Sequence, residues 1–131
     1  MILLDTHVWI WWLSNPDRLS DAAALAIADA VEENGVIISS ISTWEIAMLV
    51  ARGRLQLTID VRDWIRKSEG LPFVRFVPVD NTISLRSVYL PGEFHADPAD
   101  RIITATALTM GIALITKDKK LRDYHHMTTV W

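Results

Sequence analysis

Short apolar runs alternate along the chain with longer segments that have helical hydrophobic spacing. Four runs have the length of buried strands, at 2–5, 36–39, 73–79 and 113–116, and a last strand is expected at the C-terminus. Because these runs are continuous and mostly apolar rather than alternating, they predict a parallel sheet covered by helices on both faces. The predicted fold is α/β, a Rossmann-like three-layer α/β/α sandwich with a central, mainly parallel sheet.

Capping and breaking residues set the limits of the predicted helices. The helices are expected at 7–13, from Ser20 to Asn34-Gly35, from Ser42 to Arg52-Gly53, from Asp60 to Glu69-Gly70, from Asp80 to Tyr89 and from Asp97-Pro98 to Met110, with a small basic helix after Asp118. Gly53 and Gly111 occupy positions where a terminating glycine is favoured. No repeat, low-complexity tract or linker interrupts the pattern, so 1–131 is predicted to be a single domain.

Composition narrows the class of protein. Half of the 131 residues are apolar and the mean hydropathy is slightly positive, as in a compact globular protein. No apolar run is long enough to cross a bilayer. Asp5 and His7 interrupt the N-terminus where a signal peptide needs an apolar stretch. The absence of Cys rules out disulfides and thiolate metal sites, and a cytoplasmic location is expected.

The net charge of −3 argues against a protein that holds nucleic acid by bulk charge. A phosphate-bearing substrate must therefore be held locally, by bound cations and a few Arg or Lys residues. Trp9, Trp11 and Trp12 are too close together for one helix to bury them all against a single neighbour. They form either part of the core or a contact surface for a protein partner or a second copy.

Four acidic residues stand at the ends of predicted strands or the starts of predicted helices: Asp5, Glu45, Asp100 and Asp118. Sites in parallel α/β sheets form beyond the carboxyl ends of the strands, so these residues are expected to converge. Clustered carboxylates repel one another, and a divalent cation keeps them ionised together. An oxygen-only ligand set favours Mg²⁺ or Mn²⁺ over zinc. The four are the predicted catalytic residues, with Asp5, Asp100 and Asp118 as metal ligands.

Each acid also has a purely structural interpretation. Asp5 and Asp118 fit a helix cap and a turn residue, and Ser42 with Glu45 fits a capping box. Asp97 is predicted to be an N-cap first and an auxiliary metal ligand second. For any single acid the structural interpretation is favoured. The set of four favours a metal site, because caps do not need acidic neighbours.

Polar and basic residues flank the acids. Thr6 and Thr116 are predicted to orient a carboxylate or a metal-bound water, although ordinary strand-end hydroxyls are the alternative. Arg101 is expected to face a substrate phosphate or to pair with an acid. Lys117 and Lys119 either guide phosphate or belong to a solvated helix face. The histidines His7 and His95 are possible proton shuttles or structural residues.

With these residues in place, the chain resembles the PIN-domain ribonucleases, in particular the VapC-type toxins of bacterial toxin–antitoxin pairs. The matching segments, in family order, are Leu3-Leu4-Asp5-Thr6-His7, Ser42-Thr43-Trp44-Glu45-Ile46-Ala47, His95-Ala96-Asp97-Pro98-Ala99-Asp100-Arg101 and Leu114-Ile115-Thr116-Lys117-Asp118. The resemblance covers essentially the whole chain. It implies an α/β/α sandwich, a divalent metal, RNA cleavage and a cognate VapB-like antitoxin, with Asp5, Glu45, Asp100 and Asp118 as the acidic pocket. A homodimer is also expected.

The favoured hypothesis is a Mg²⁺- or Mn²⁺-dependent endoribonuclease in which a metal-activated water attacks a phosphodiester. A phosphatase of the haloacid dehalogenase type needs a second Asp two residues after Asp5, where this chain has His7. A non-catalytic receiver-like module needs an acceptor Asp after a central strand, and 36–40 contains none. A partner-binding module with an acidic cation site stays open as the alternative.

Overall fold

The computed structural model describes residues 1–131 and has a five-stranded sheet at its centre. The strands are β1 (Ile2–Leu4), β2 (Val36–Ser39), β3 (Val74–Val77), β4 (Ala113–Ile115) and β5 (Thr129–Val130). Their order is β3-β2-β1-β4-β5, and every neighbouring pair is parallel. The predicted parallel sheet is confirmed, and it is wholly rather than mainly parallel.

Seven α-helices connect and cover the strands. They are α1 (Thr6–Ser14), α2 (Asp21–Glu32), α3 (Ser40–Ala51), α4 (Val61–Glu69), α5 (Asn81–Val88), α6 (Pro98–Met110) and α7 (Lys119–Arg122), with a 3₁₀ turn at Pro16–Arg18. None of them has the length and apolar character that a membrane span requires.

The register of the central strands sorts their side chains onto two faces. Leu4 is aligned with Ile38 and Ile115, and this row packs with residues of α1, α2 and α4. Leu3 is aligned with Ile37 and Leu114, and this row packs with residues of α6 and α7. Because successive residues of a strand point to opposite faces, both rows are buried, which explains why the strands are apolar throughout.

Capping residues set the limits of most helices where the sequence predicts them. Ser20 caps α2 through Ala23 N, and Asp60 caps α4 through Arg62 N. Asp97 caps α6 through Asp100 N, and Pro98 occupies the first turn. Gly111 ends α6 with φ of 65°, the left-handed conformation that glycine adopts without steric cost.

The predicted start of α3 at Ser42 is wrong. The helix begins at Ser40, and its N-cap is Ser39, whose hydroxyl accepts from Ile41 N at 3.2 Å. Ser42 therefore lies in the first turn of the helix rather than at its N-cap. The Ser42–Glu45 capping box does not form, and the Glu45 carboxylate is left for another role.

Three strands are shorter than predicted, because their polar or proline ends leave the sheet. Asp5 and Thr116 fall just beyond β1 and β4, although the Asp5 amide still donates to the Ile115 carbonyl at 3.0 Å. β3 ends before Pro78, which lacks the N–H that a strand pairing requires.

The three clustered tryptophans of α1 have three different surroundings. Trp9 is fully buried, and its indole N–H donates to the Ser68 hydroxyl at 3.2 Å. Trp12 is half-buried against Phe73, with ring centroids 5.9 Å apart. Trp11 is half-buried on the side of the helix that faces the C-terminus. The core interpretation holds for Trp9, and the proposed partner surface stays a prediction for the other two.

Candidate active site

The carboxyl edge of the sheet gathers the predicted residues. β1 lies between β2 and β4 in the sheet. The chain passes from β1 to β2 and β3 on one side, and then crosses to β4 and β5 on the other side of β1. Asp5 follows β1, Ser39 ends β2 and Thr116 follows β4. A crevice forms at such a switch point because the helices that follow the strands diverge. The four acids Asp5, Glu45, Asp100 and Asp118 are called the acidic pocket below.

Asp5 is held rigidly at the base of this pocket. Its side chain is only 8% exposed, and it acts as the N-cap of α1 by accepting from Thr6 N at 2.8 Å. Its second oxygen accepts from the Thr116 hydroxyl at 2.7 Å. The predicted capping role of Asp5 is therefore real, and it occupies only one of the two carboxylate oxygens.

Thr116 connects two acids of the pocket. While its hydroxyl donates to Asp5, the same oxygen accepts from the Asp118 backbone amide at 3.0 Å. Asp118 is exposed and caps α7 by accepting from Lys120 N at 2.8 Å. The fully buried Thr116 side chain thus fixes the path of the chain between β4 and Asp118 relative to Asp5.

Thr6 does the same for Glu45. Its hydroxyl donates to Glu45 Oε1 at 2.5 Å, and its oxygen lies 2.8 Å from the Ser42 hydroxyl. Since the single proton of Thr6 goes to Glu45, Ser42 is the donor in the second bond. Ser42 and Glu45 are separated by about one helical turn, so both face α1 from the same side of α3. The two predicted auxiliary threonines each bind a carboxylate of the pocket.

Asp100 reaches the pocket from the first turn of α6. Its Oδ2 accepts from, or shares a proton with, His95 Nε2 at 2.7 Å, and both side chains are about four-fifths buried. The exposed Asp97 accepts from the Asp100 amide at 2.9 Å as the N-cap of α6. The first role predicted for Asp97 is confirmed, and its second role as an auxiliary ligand stays a prediction.

The pKa values of Asp5 and Glu45 are raised by burial and by the charges of nearby acids. Burial, reinforced by the negative charge of Asp100, raises the pKa of Asp5 from 3.8 to about 6. Burial also raises the pKa of Glu45 from 4.5 to about 7, and the charges of Asp5, Asp100 and Asp97 add to this effect. The Thr116 and Thr6 hydroxyls oppose the two shifts by stabilising the ionised forms.

Asp100 follows the same pattern. Burial raises the pKa of its carboxyl, the hydrogen bond from His95 lowers it, and the charges of Asp97 and Asp118 raise it further. The pKa values of Asp5, Glu45 and Asp100 are thus each raised by at least one other acid of the pocket. Positive charge placed between such carboxylates lowers their pKa values and favours the state in which they are ionised together.

The acids of the pocket suit a divalent cation because they offer oxygen ligands, although they do not form a complete coordination shell. No three Asp, Glu or His side chains stand close enough together to enclose an ion by themselves. Mg²⁺ and Mn²⁺ prefer oxygen ligands, and Mg²⁺ keeps several of its waters and is bound through one or two carboxylates. An open group of carboxylates with raised pKa values matches that preference.

Some basic side chains near the pocket are bound to other groups of the protein, and others are not. Arg101 donates to four backbone carbonyls, those of Ser87, Val88, Phe94 and His95, at 2.8–3.1 Å. It forms no ion pair with an acid, so the expected pairing with an acid is not seen, and the expected contact with a substrate phosphate stays a prediction. Lys119 pairs with Asp123 at 2.6 Å, whereas the exposed Lys117 has no carboxylate partner.

Two contacts of the site lie beyond what the sequence patterns predict. The bond from Ser42 to Thr6 joins residues 36 positions apart, and the His95–Asp100 bond depends on the loop before α6. His95 was expected only as a proton shuttle or a structural residue. The sequence feature that suggests the contact with Asp100 is the place of His95, five residues before Asp100 in the loop that precedes α6.

Comparison with known proteins agrees with this architecture. The family model described as PIN domain matches residues 2–126. The chain is 42% identical over 132 residues, 99% of its own length and 98% of the relative's, to Ribonuclease VapC22 of Mycobacterium tuberculosis (strain ATCC 25618 / H37Rv).

Two solved structures are similar in fold. One is VapBC2 from Rickettsia felis bound to a DNA fragment from their promoter, with a TM-score of 0.71 and 16% identity over 98% of this chain and 97% of that one. The other is a toxin–antitoxin complex from Klebsiella pneumoniae, with a TM-score of 0.66 and 24% identity over 100% and 97%.

Proposed function

The chain belongs to the PIN-domain family, and from that premise we propose that it is a Mg²⁺- or Mn²⁺-dependent endoribonuclease toxin held in check by a cognate antitoxin. The observation that carries the proposal is the convergence of Asp5, Glu45 and Asp100, whose carboxyl pKa values are all raised, first by burial and then by the charges of neighbouring acids. At neutral pH the binding of positive charge in such a pocket is favourable.

Asp5, Asp100 and Asp118 would hold the cation, directly or through water. When bound, a divalent cation supplies a water of lowered pKa and neutralises charge on the phosphate oxygens. The two oxygens of Asp5 keep fixed directions because Thr6 N and the Thr116 hydroxyl bind one each. Thr116 also positions the backbone that carries Asp118.

Glu45 is suited to accept a proton from the attacking water. Its pKa of about 7 lies near physiological pH, where a general base works best. The Thr6 hydroxyl orients its carboxylate, and the side chain is half-buried rather than enclosed. As the water oxygen bonds to phosphorus and its proton passes to Glu45, the bond from phosphorus to the leaving ribose oxygen breaks, and that oxygen takes a proton from solvent water. No side-chain nucleophile is required.

The partners follow from the same premise. A VapB-like antitoxin is proposed as the inhibitor, and a homodimer and a cytoplasmic location stay predictions. Lys117 is proposed as a substrate-binding residue. Lys119 contributes to phosphate binding only if it leaves Asp123, and Asp97 is kept as an auxiliary residue of the pocket.

Digestion of single-stranded RNA by the purified protein, with added Mg²⁺ or Mn²⁺ or with chelator, tests the proposal. We expect cleavage only with the cation, and its loss in Asp5→Asn while the fold is retained. Asp63→Asn, at an exposed acid of α4, is the matched control and should cleave like the wild type. Cleavage that persists with chelator, or in Asp5→Asn, would contradict the assignment.

A further inference from the structure

We infer that a cluster around Trp11, made of His7, Arg18 and Lys117, binds the phosphates of the RNA strand on the α1 side of the acidic pocket. The inference rests on the proposed function and adds the substrate path to it. The guanidinium carbon of Arg18 lies 4.6 Å from the Trp11 ring centroid, and the ammonium nitrogen of Lys117 lies 5.9 Å from it. This cluster is called the cationic rim below.

Residues from separate parts of the chain build the rim. Trp11 belongs to α1, Arg18 ends the 3₁₀ turn and Lys117 follows β4. His7 and Trp131 flank the Trp11 ring, each with a centroid distance of 5.9 Å. Trp11 is half-buried and packs against the main apolar core, so its position is fixed by the fold. The ring therefore holds two long, flexible cations in a defined place.

The two cations keep their charge available. Arg18 and Lys117 are exposed and form no ion pair or hydrogen bond with a carboxylate, although Asp17 and Asp118 are their sequence neighbours. Some other basic residues are instead neutralised locally: Lys119 pairs with Asp123, and Arg66 pairs with Asp63. A cation held over an aromatic face retains its full charge for an anionic ligand.

The rim adjoins the acidic pocket directly. Lys117 lies between Thr116, which binds Asp5, and Asp118. His7 follows Thr6 in the first turn of α1, two residues after Asp5, and its ring lies 5.9 Å from that of Trp11. A strand whose scissile phosphate sits over the carboxylates therefore has its neighbouring phosphates within reach of the rim.

Charge explains why such a surface is needed and why RNA fits it. The chain has a net charge of −3, and the carboxylates of the pocket repel a phosphodiester. Binding must then come from local cations and aromatic side chains, the combination found in grooves for single-stranded nucleic acid. A single strand suits the rim because its flexible backbone can follow the turn from the pocket to Arg18.

The test measures binding without cleavage. Fluorescently labelled oligouridylate is titrated, with Mg²⁺ and over a series of salt concentrations, against Asp5→Asn protein that carries in addition Arg18→Ala, Lys117→Ala or Arg75→Ala. Arg75 is the matched control, an exposed arginine on β3 whose nearest polar contact is the Met1 sulfur. We expect each rim substitution to weaken binding severalfold and to reduce the slope of log affinity against log salt by about 0.7. Arg75→Ala should change neither quantity.

Two results would overturn the inference. One is an Arg18→Ala affinity and salt slope equal to those of Arg75→Ala, as expected if the rim serves a protein partner instead. The other is weaker binding with an unchanged slope, because a lost phosphate contact must alter it. A cleavage assay on protein that keeps Asp5 separates this inference from the proposed function. If that protein cleaves RNA but the rim substitutions leave binding unchanged, only the inference about the rim is refuted. If the rim substitutions weaken binding but no cation-dependent cleavage is found, only the nuclease proposal is refuted.

Discussion

The Thr116 hydroxyl donates a 2.7 Å hydrogen bond to Asp5 across 111 positions of sequence. This bond ties the ends of the neighbouring strands β1 and β4 together at the centre of the acidic pocket. It also lowers the pKa of a carboxyl that burial otherwise raises. Thr116 is therefore a positioning residue, because it acts through Asp5.

Replacing Thr116 by Val tests that role, since Val keeps the shape and removes the donor. The pKa of Asp5 should rise above about 6, and the acid limb of the cleavage–pH profile should move to higher pH by about one unit. Thr116→Ser retains the donor and should retain the wild-type profile. Superimposable profiles for Val and wild type would show that the hydroxyl has no such effect.

The buried carboxyl of Asp5 predicts how stability without metal depends on pH. The unfolded chain releases this proton near pH 3.8, whereas the folded protein holds it until about pH 6. Because the folded state binds more protons over this interval, its stability falls as the pH rises, by up to about 3 kcal/mol from Asp5. Glu45 extends the loss towards pH 7.

Urea denaturation of the chelated protein at a series of pH values measures this loss. Asp5→Asn should be more stable than wild type at neutral pH and less dependent on pH. Adding Mg²⁺ or Mn²⁺ should stabilise the wild type and narrow the difference. A wild-type stability that rises between pH 4 and 6 relative to Asp5→Asn would contradict the origin assigned to the pKa shift.

The start of α3 predicts different effects for two serines of similar position. Ser39→Ala removes the N-cap and should cost about 1 kcal/mol of unfolding free energy. Ser42→Ala instead removes the donor to Thr6, so cleavage should fall while the helix start is unaffected. Chemical denaturation and cleavage rates of the two variants distinguish these effects. The reverse pattern would restore Ser42 as the cap.

Arg101 should behave as a structural residue. Its guanidinium binds four carbonyls of the segment that carries His95, and Lys cannot reproduce this geometry. Arg101→Lys should therefore lower the unfolding free energy by about 2 kcal/mol and speed amide exchange of residues 87–95. If the variant loses RNA affinity while its stability and exchange are unchanged, Arg101 contacts phosphate instead.

Elements governed by local chemistry were predictable from the sequence. Continuous apolar runs identified the buried strands. Ser20, Asp60 and Asp97 begin helices and Gly111 ends one, as the sequence predicts. The four acids were recognisable because strand ends and helix starts meet at one edge of a parallel sheet. That convergence follows from topology alone and needs no knowledge of side-chain packing.

The missed features depend on distant partners. Ser39 and Ser42 are both acceptable caps, and the choice between them is coupled to Thr6, which engages Ser42 from α1. Arg101 stands beside Asp100 in sequence, but its partners come from a loop whose path no periodic pattern encodes. Local patterns carry no information on either contact.

Calorimetric titration of the chelator-free protein with Mn²⁺, near neutral pH and in two buffers of different ionisation enthalpy, tests the central claim most directly. Because the Asp5 and Glu45 carboxyls have pKa values of about 6 and 7, binding should release protons, and the measured heat should differ between the buffers. Asp5→Asn should bind more weakly and release fewer protons, and Asp63→Asn should match the wild type. Equal binding by wild type and Asp5→Asn, or no binding by either, would contradict a shared cation site.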